Sequence, residues 1–267
     1  IAQEREVFMD KSASYSHDIP NDSEFSRVRS HWRTIMGSSE ELRNKAIELT
    51  VISNEFQYGY QWEWCGVPII RHPDDIVLQQ EIMWSPKPTH VIETGVARGG
   101  SLTLSSSLME IAGHQSKVLG IDIQILPHAI EALKPWTLDG RIELLESDST
   151  SSIAINATKD FLGNNQTPSL LVLDSNHGHE HVLNELQALA PIFPIGSIVI
   201  VADTIVEEMP EDYYPNRPWG RGNNPLTAVK EFLELNSDFQ MDQRWSRRSL
   251  MGECRDGILI RVSNSSA

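Results

Sequence analysis

Cysteine is scarce in this chain of 267 residues: Cys65 and Cys254 are the only two. They stand far apart and without metal-type spacing, so a disulfide framework is not expected and a reducing cytoplasm is the default compartment. Long apolar runs are missing as well, and nothing approaches the length of a membrane span. The opening segment IAQEREVFMDKSASYS lacks the apolar core of a signal peptide. It starts at Ile1 rather than Met, as expected of a trimmed or excised module. Bases are short: 22 Lys and Arg stand against 37 Asp and Glu, a net charge of −15. That balance excludes a polyanion such as nucleic acid as main partner, because such binding rests on a basic surface. It suits solubility and an attraction for cations. No internal repeat occurs. The G-x-G-x-x-G fingerprint of dinucleotide binders, whose second glycine admits a pyrophosphate, is also absent.

What is present is a regular alternation of apolar strands and amphipathic helices. The length suits one large α/β domain with an appended segment. Residues 1–25 and the SNSSA tail are polar and expected to be flexible. Glu40 to Ile52 reads as a helix, with Leu42, Ala46, Ile47 and Leu49 in register. In FQYGYQWEWCGVPII the rings of Phe56, Tyr58, Tyr60, Trp62 and Trp64 alternate. An extended segment would put all five on one side, either as core packing or as a wall over a ligand. Pro73 followed by two acids marks a helix start. Strands are expected at 90–94, 117–123, 141–146, 169–174 and 196–202, with helices between them and two helix-free closing strands at about 239–245 and 257–262. The expected architecture is Rossmann-like: a mostly parallel sheet, helices on both faces, and a closing antiparallel hairpin.

The most informative stretch is VIETGVARGGS, Val91 to Ser101. An apolar strand runs into an acid, then three glycines, then a helix. Glycines let backbone approach a ligand, and the helix start offers free N–H groups. The acid-x-Gly-x-x-x-Gly spacing of Glu93, Gly95 and Gly99 suits a ligand without phosphate whose ammonium group Glu93 attracts. S-adenosylmethionine is such a ligand; a bare structural turn is the alternative. Asp122, 29 residues after Glu93, is placed to accept from ribose hydroxyls, as in nicotinamide enzymes too. Asp148 and Ser149 follow the third strand and suit an adenine amino group; a lone acid there is otherwise a helix cap. Strand tips also carry Asp174 and Asp203. Neighbouring strands lie just under about 5 Å apart, so these two carboxylates can share Mg²⁺, which would lower the pKa of an acceptor hydroxyl. His177 suits a base near neutral pH; His177 with His181 could instead hold zinc, and an exposed helix start is the plain alternative. The Pro- and Gly-rich loop from Glu207 to Asn224 follows the Asp203 strand and is expected to form a lid, with Tyr213, Tyr214 and Trp219 as acceptor contacts.

With these residues in view, the chain resembles the cephalosporin hydroxylase/rhamnosyl O-methyltransferase family. The resemblance runs from about Gln61 to Val262, through WCGVPIIRHPDDIVLQQEIMW, VIETGVARGGS, GIDI, ESDS, LDSNHGHEHV, GSIVIVADT and NPLTAVKEFL. It implies a class I methyltransferase domain over 73–267 behind an N-terminal helical and aromatic extension over 1–72. It further implies S-adenosylmethionine, Mg²⁺ in several members, oxygen as the methylated atom, a small hydroxylated acceptor and frequent homo-oligomers. Glu93, Gly95, Ala97, Gly99 and Ser101 fall on the family's cofactor loop, Asp122 and Ile123 on its ribose side, Asp148 and Ser149 on its adenine side. Asp174 borders both cofactor and metal, and Asp203 matches a second metal acid. Ala202 departs from the pattern, since metal-dependent members carry a further acid there. Either another group such as His177 or Asn176 is recruited, or the metal is weak or absent. Two rival functions follow. A metal-dependent oxygenase would need two His and one carboxylate, and a non-catalytic partner of another enzyme would explain the lost acid.

Overall fold

The computed structural model describes residues 22–85, 87–115, 117–242, 244–245 and 248–265. The first 21 residues and the last two, expected to be flexible, lie outside these. The chain forms two compact units, residues 1–39 and 40–267. Within the first, a helix (α1, Asp22–Gly37) already begins inside the stretch expected to be irregular.

The second unit opens with α2 (Glu40–Asn54), whose first turn carries Glu40 and Glu41 where acids complement the helix dipole. A short 3₁₀ turn (Tyr58–Tyr60) leads to a small antiparallel hairpin of β1 (Trp62–Trp64) and β2 (Val67–Ile69), then to α3 (Pro73–Trp84). Five parallel strands follow, each but the last leading into a long helix: β3 (Val91–Thr94), α4 (Gly100–Ile111), β4 (Val118–Asp122), α5 (Pro127–Leu138), β5 (Ile142–Glu146), α6 (Ser152–Leu162), β6 (Leu170–Leu173), α7 (His179–Leu189) and β7 (Ile198–Val201). A 3₁₀ turn (Thr204–Glu208) precedes α8 (Pro225–Leu235), and β8 (Phe239–Met241) and β9 (Ile258–Arg261) close the unit.

The sheet order is β5-β4-β3-β6-β7-β9-β8, with β9 antiparallel to both β7 and β8. The closing strands thus form the expected hairpin, though β8 stops at Met241 rather than running to 245. Successive strand residues face opposite sides, and the core divides accordingly. Val91, Val118, Leu170, Val172, Ile198 and Ile200 pack under α3, α4 and α5, while Ile92, Leu119, Leu171, Leu173 and Val199 pack under α6, α7 and α8. Because both faces are covered, these strands read as continuous apolar runs. Phe193 and Phe232, both 0% exposed, each contribute about 1.5–3 kcal/mol of burial to the second face.

The aromatic run departs from the expected extended wall. Gln57 takes the left-handed backbone at φ 54°, Tyr58–Tyr60 coil into the 3₁₀ turn, and Cys65 turns the hairpin at φ 51°. The five rings therefore do not share a side. Phe56 and Tyr60 are exposed, Tyr58 packs edge-on against Trp62 and His72, and Trp64 Nε1 donates to Ser107 Oγ at 2.8 Å. Leu49, expected on the buried stripe of α2, faces solvent, and Thr50 takes the buried place instead.

Candidate active site

The strand order reverses at β3, which lies between β4 and β6. Open α/β sheets bind ligands beyond the strand ends at such a switch point, and Glu93, Gly95, Asp122 and Asp174 come together there. Gly95 takes φ 92°, and a Cβ on it would run into the Asp174 carbonyl at the end of β6. Only glycine lets the two strand tips close in this way. Ala97 adopts φ 44°, a conformation that residues with a side chain rarely take and that marks functional loops. Gly99 caps α4 without any side-chain acceptor, which leaves the helix start open to a ligand.

Three carboxylates shape this rim. Asp122 accepts from Val96 N at 2.8 Å, Ala97 N at 3.4 Å and Gln124 N at 3.0 Å, so it holds the glycine loop in place. A carboxylate offers about four acceptor sites, which leaves capacity for a further donor. Beside it the apolar side chain of Ile123 is 75% exposed. Asp148 binds its own turn through Thr150 N and Oγ1, both at 2.8 Å, and these bonds lower its pKa. Ser149 is buried and meets His181 Nε2 at 3.3 Å. Glu93 is 1% exposed, and its Oε2 accepts no hydrogen bond. Burial pushes its carboxyl up, with Arg71 and the adjoining Ser101 hydroxyl opposing. An orphaned carboxylate oxygen of this kind fits a positively charged ligand group.

Arg71, which sequence reasoning missed, joins this rim to the next. It is buried, with Nη1 on Gln79 Oε1 at 2.5 Å and Nη2 3.3 Å from Asp174 Oδ2 and 3.6 Å from Glu93 Oε1. Burial works against its charge, yet the two carboxylates outweigh that and raise its pKa. The signal that could have found it is a cation inside the apolar run GVPIIRHP, where only a buried partner makes it tolerable.

Asp174, His177 and Asp203 come together, each offering a ligand atom within 4.8 Å of the others. His177 Nδ1 lies 3.4 Å from Asp203 Oδ2. Burial, and after it the repulsion of Asp203, pushes Asp174 up to about 7. Asp203 sits at φ 56°, a left-handed conformation that Asp tolerates better than most residues. Two carboxylates with one imidazole form a donor set that suits a divalent ion. Asn176 Oδ1 accepts from Gly178 N at 2.8 Å. His179 and His181 turn away: His179 meets Thr227 Oγ1 at 2.7 Å and Glu231 Oε2 at 3.0 Å, and His181 meets Ser175 Oγ at 3.1 Å and Glu185 Oε1 at 3.4 Å. Among the described residues no second imidazole reaches the set, so neither the paired-His zinc arrangement nor the oxygenase triad forms.

The segment after β7 carries the three aromatic side chains expected to form a lid. Trp219 lies over His177 with ring centroids 4.9 Å apart, and Tyr213 meets Tyr214 edge-on at 4.8 Å. Burial and Asp203 push the Tyr214 phenol up. The base of the loop is pinned by Glu207 Oε2, which accepts from Gly222 N at 2.8 Å and Asn224 Nδ2 at 2.5 Å.

A family model described as "Rhamnosyl O-methyltransferase/CmcI" matches residues 56–262. The chain belongs to the rhamnosyl O-methyltransferase/CmcI family. The rhamnosyl O-methyltransferase of Mycobacterium leprae is 26% identical over 213 residues, spanning 78% of this chain and 88% of that one. The namesake from Mycobacterium tuberculosis H37Rv is 26% identical over 200 residues, with 74% and 77% covered. Among solved structures, apo CmcI aligns with a TM-score of 0.55 at 21% identity, covering 77% of this chain and 78% of that one. The Mg–SAM form of CmcI aligns at 0.52 and 22% identity, covering 76% and 78%. These likenesses establish the class I methyltransferase fold for the family member described here. Among the described residues no helix is long and apolar enough to cross a membrane.

Proposed function

We propose that this protein is an S-adenosylmethionine-dependent O-methyltransferase acting on a hydroxyl of a small molecule, a sugar or a related natural product. One observation carries it above the others: buried Glu93, whose Oε2 accepts no hydrogen bond, stands near the end of the strand that runs into the glycine loop at the switch point of the sheet, in a chain of this family. Glu93, Gly95, Ala97, Gly99 and Ser101 would hold the methionine end, Asp122 and Ile123 the ribose, Asp148 and Ser149 the adenine. When bound, S-adenosylmethionine would supply an electrophilic methyl group and a divalent ion such as Mg²⁺ would supply a Lewis acid. The chain's own part is alignment and proton removal. Asp174 and Asp203 would hold the ion, His177 beside them would receive the acceptor proton, and Trp219 with Tyr213 and Tyr214 would exclude water over the acceptor. Residues 73–267 form the catalytic domain in this reading, with 40–72 packed onto it. The relatives named rhamnosyl O-methyltransferase make a deoxysugar hydroxyl the first acceptor to try.

The test has two arms. Titration calorimetry with S-adenosylmethionine should give saturable heat; none at millimolar cofactor refutes the reading. Transfer of a labelled methyl group to a panel of hydroxylated glycosides, with and without Mg²⁺, should give a product, and Asp174→Ala should abolish it.

A further inference from the structure

Position 202 is Ala, buried at 5% exposure, and offers no ligand where the rest of the site gathers charge. A different acid stands close by. Glu253 lies on the connection between β8 and β9, and its backbone is fixed from two directions. Its N–H donates to Asp75 Oδ2 at 2.7 Å. Its carbonyl accepts from Ile205 N and Thr204 Oγ1, both at 3.1 Å, the two residues that follow Asp203. The neighbouring backbone is held as firmly: Asp74 Oδ2 accepts from Leu250 N at 2.8 Å and Met251 N at 3.1 Å, and His72 Nδ1 donates to Met251 O at 2.5 Å. The Glu253 carboxyl meets the His72 imidazole, Oε1 lying 3.6 Å from Nε2, and its side chain keeps 24% exposure. Burial pushes this carboxyl well above its ordinary value, and the negative charges of Asp203, Asp75 and Asp174 add to that.

We propose that Glu253 supplies the carboxylate that position 202 lacks, holding a water of the coordination shell of a divalent ion bound at Asp174, His177 and Asp203. The inference rests on the cation site of the reading above. Direct ligation is not required, because Mg²⁺ keeps several of its waters and outer carboxylates orient such ligands.

Titration of the whole chain with Mn²⁺, and separately with Mg²⁺, tests this. Glu253→Gln keeps the shape and removes the charge. Ion affinity should fall about 10–100-fold, while S-adenosylmethionine affinity without added ion and the metal-free melting midpoint stay within error or rise. A midpoint that drops by several degrees would show a merely structural role and overturn the proposal. So would a Gln variant that binds Mn²⁺ within twofold of the unaltered chain, or an unaltered chain that binds neither ion. In that last case the S-adenosylmethionine isotherm still reports separately on the methyl-transfer reading. Ala202→Glu in the Glu253→Gln background should recover ion affinity; no recovery in a folded double variant counts against the substitution of one acid for the other.

Discussion

Replacing Arg71 by Met removes the one cation between Glu93 and Asp174 and leaves both carboxylates in place. Breaking a buried ion pair by deleting one partner costs about 3–5 kcal/mol, because the remaining charge stays uncompensated. For a chain of this size that corresponds to a fall in melting midpoint of about 6–20 °C. The loss should depend on pH. Burial already holds both carboxyls above their ordinary values, Asp174 at about 7, and removal of the guanidinium raises them further. An unfolded carboxyl titrates near about 4. Between those limits the native state of the variant binds more protons than the unfolded state, so its stability rises as pH falls. Scanning calorimetry with a chelator present should therefore show the full depression at pH 8 and a much smaller one at pH 5. A depression under about 2 °C at pH 8, or equal depressions at both values, would refute the pairing of Arg71 with the two acids.

Four further outcomes follow from the geometry. Gly95→Ala forces a positive φ and a contact with the Asp174 carbonyl, a strain of about 1–3 kcal/mol; S-adenosylmethionine affinity by calorimetry should fall roughly 5–150-fold. Asp122→Asn loses charge-assisted bonds to the glycine loop, each worth about 1.5–3 kcal/mol, and should weaken the same isotherm at least about tenfold. Trp219→Ala should raise KM for the acceptor and leave cofactor affinity unchanged, whereas a change in cofactor affinity alone would remove Trp219 from the lid. Because a bound ion competes with the proton on Asp174, Mn²⁺ affinity should fall as pH drops below about 7, approaching tenfold per unit, and a flat profile between pH 5 and 8 would speak against Asp174 as ligand.

The sheet and the glycine rim were legible because their causes are local. Apolar runs bounded by glycine and acid specify strand, turn and helix start within a dozen residues, and β3, β6 and β7 fall inside the segments so marked. Ala202 was visible as a gap, and His177 was one of the groups named to fill it. What stayed hidden depends on partners distant in sequence. Arg71 meets Asp174 across 103 residues, and no periodicity encodes that meeting. Asp74 and Asp75 read as dipole-matching acids at a helix start, yet their carboxylates hold the 249–254 segment. The aromatic run misled because alternation presumes extended backbone, and left-handed residues at 57 and 65 break it.

The anchoring of the β8–β9 connection to α3 bears on how the molecule is made. The bond from Leu250 to Asp74 spans 176 residues, so during synthesis α3 emerges long before its partner segment leaves the ribosome. Until then Asp75, 2% exposed in the finished protein, must stay hydrated or carry a proton. Contacts of such separation slow folding. The strands from β3 to β7 can pair early, while the segment that meets Asp74 and Asp75 comes after all of them.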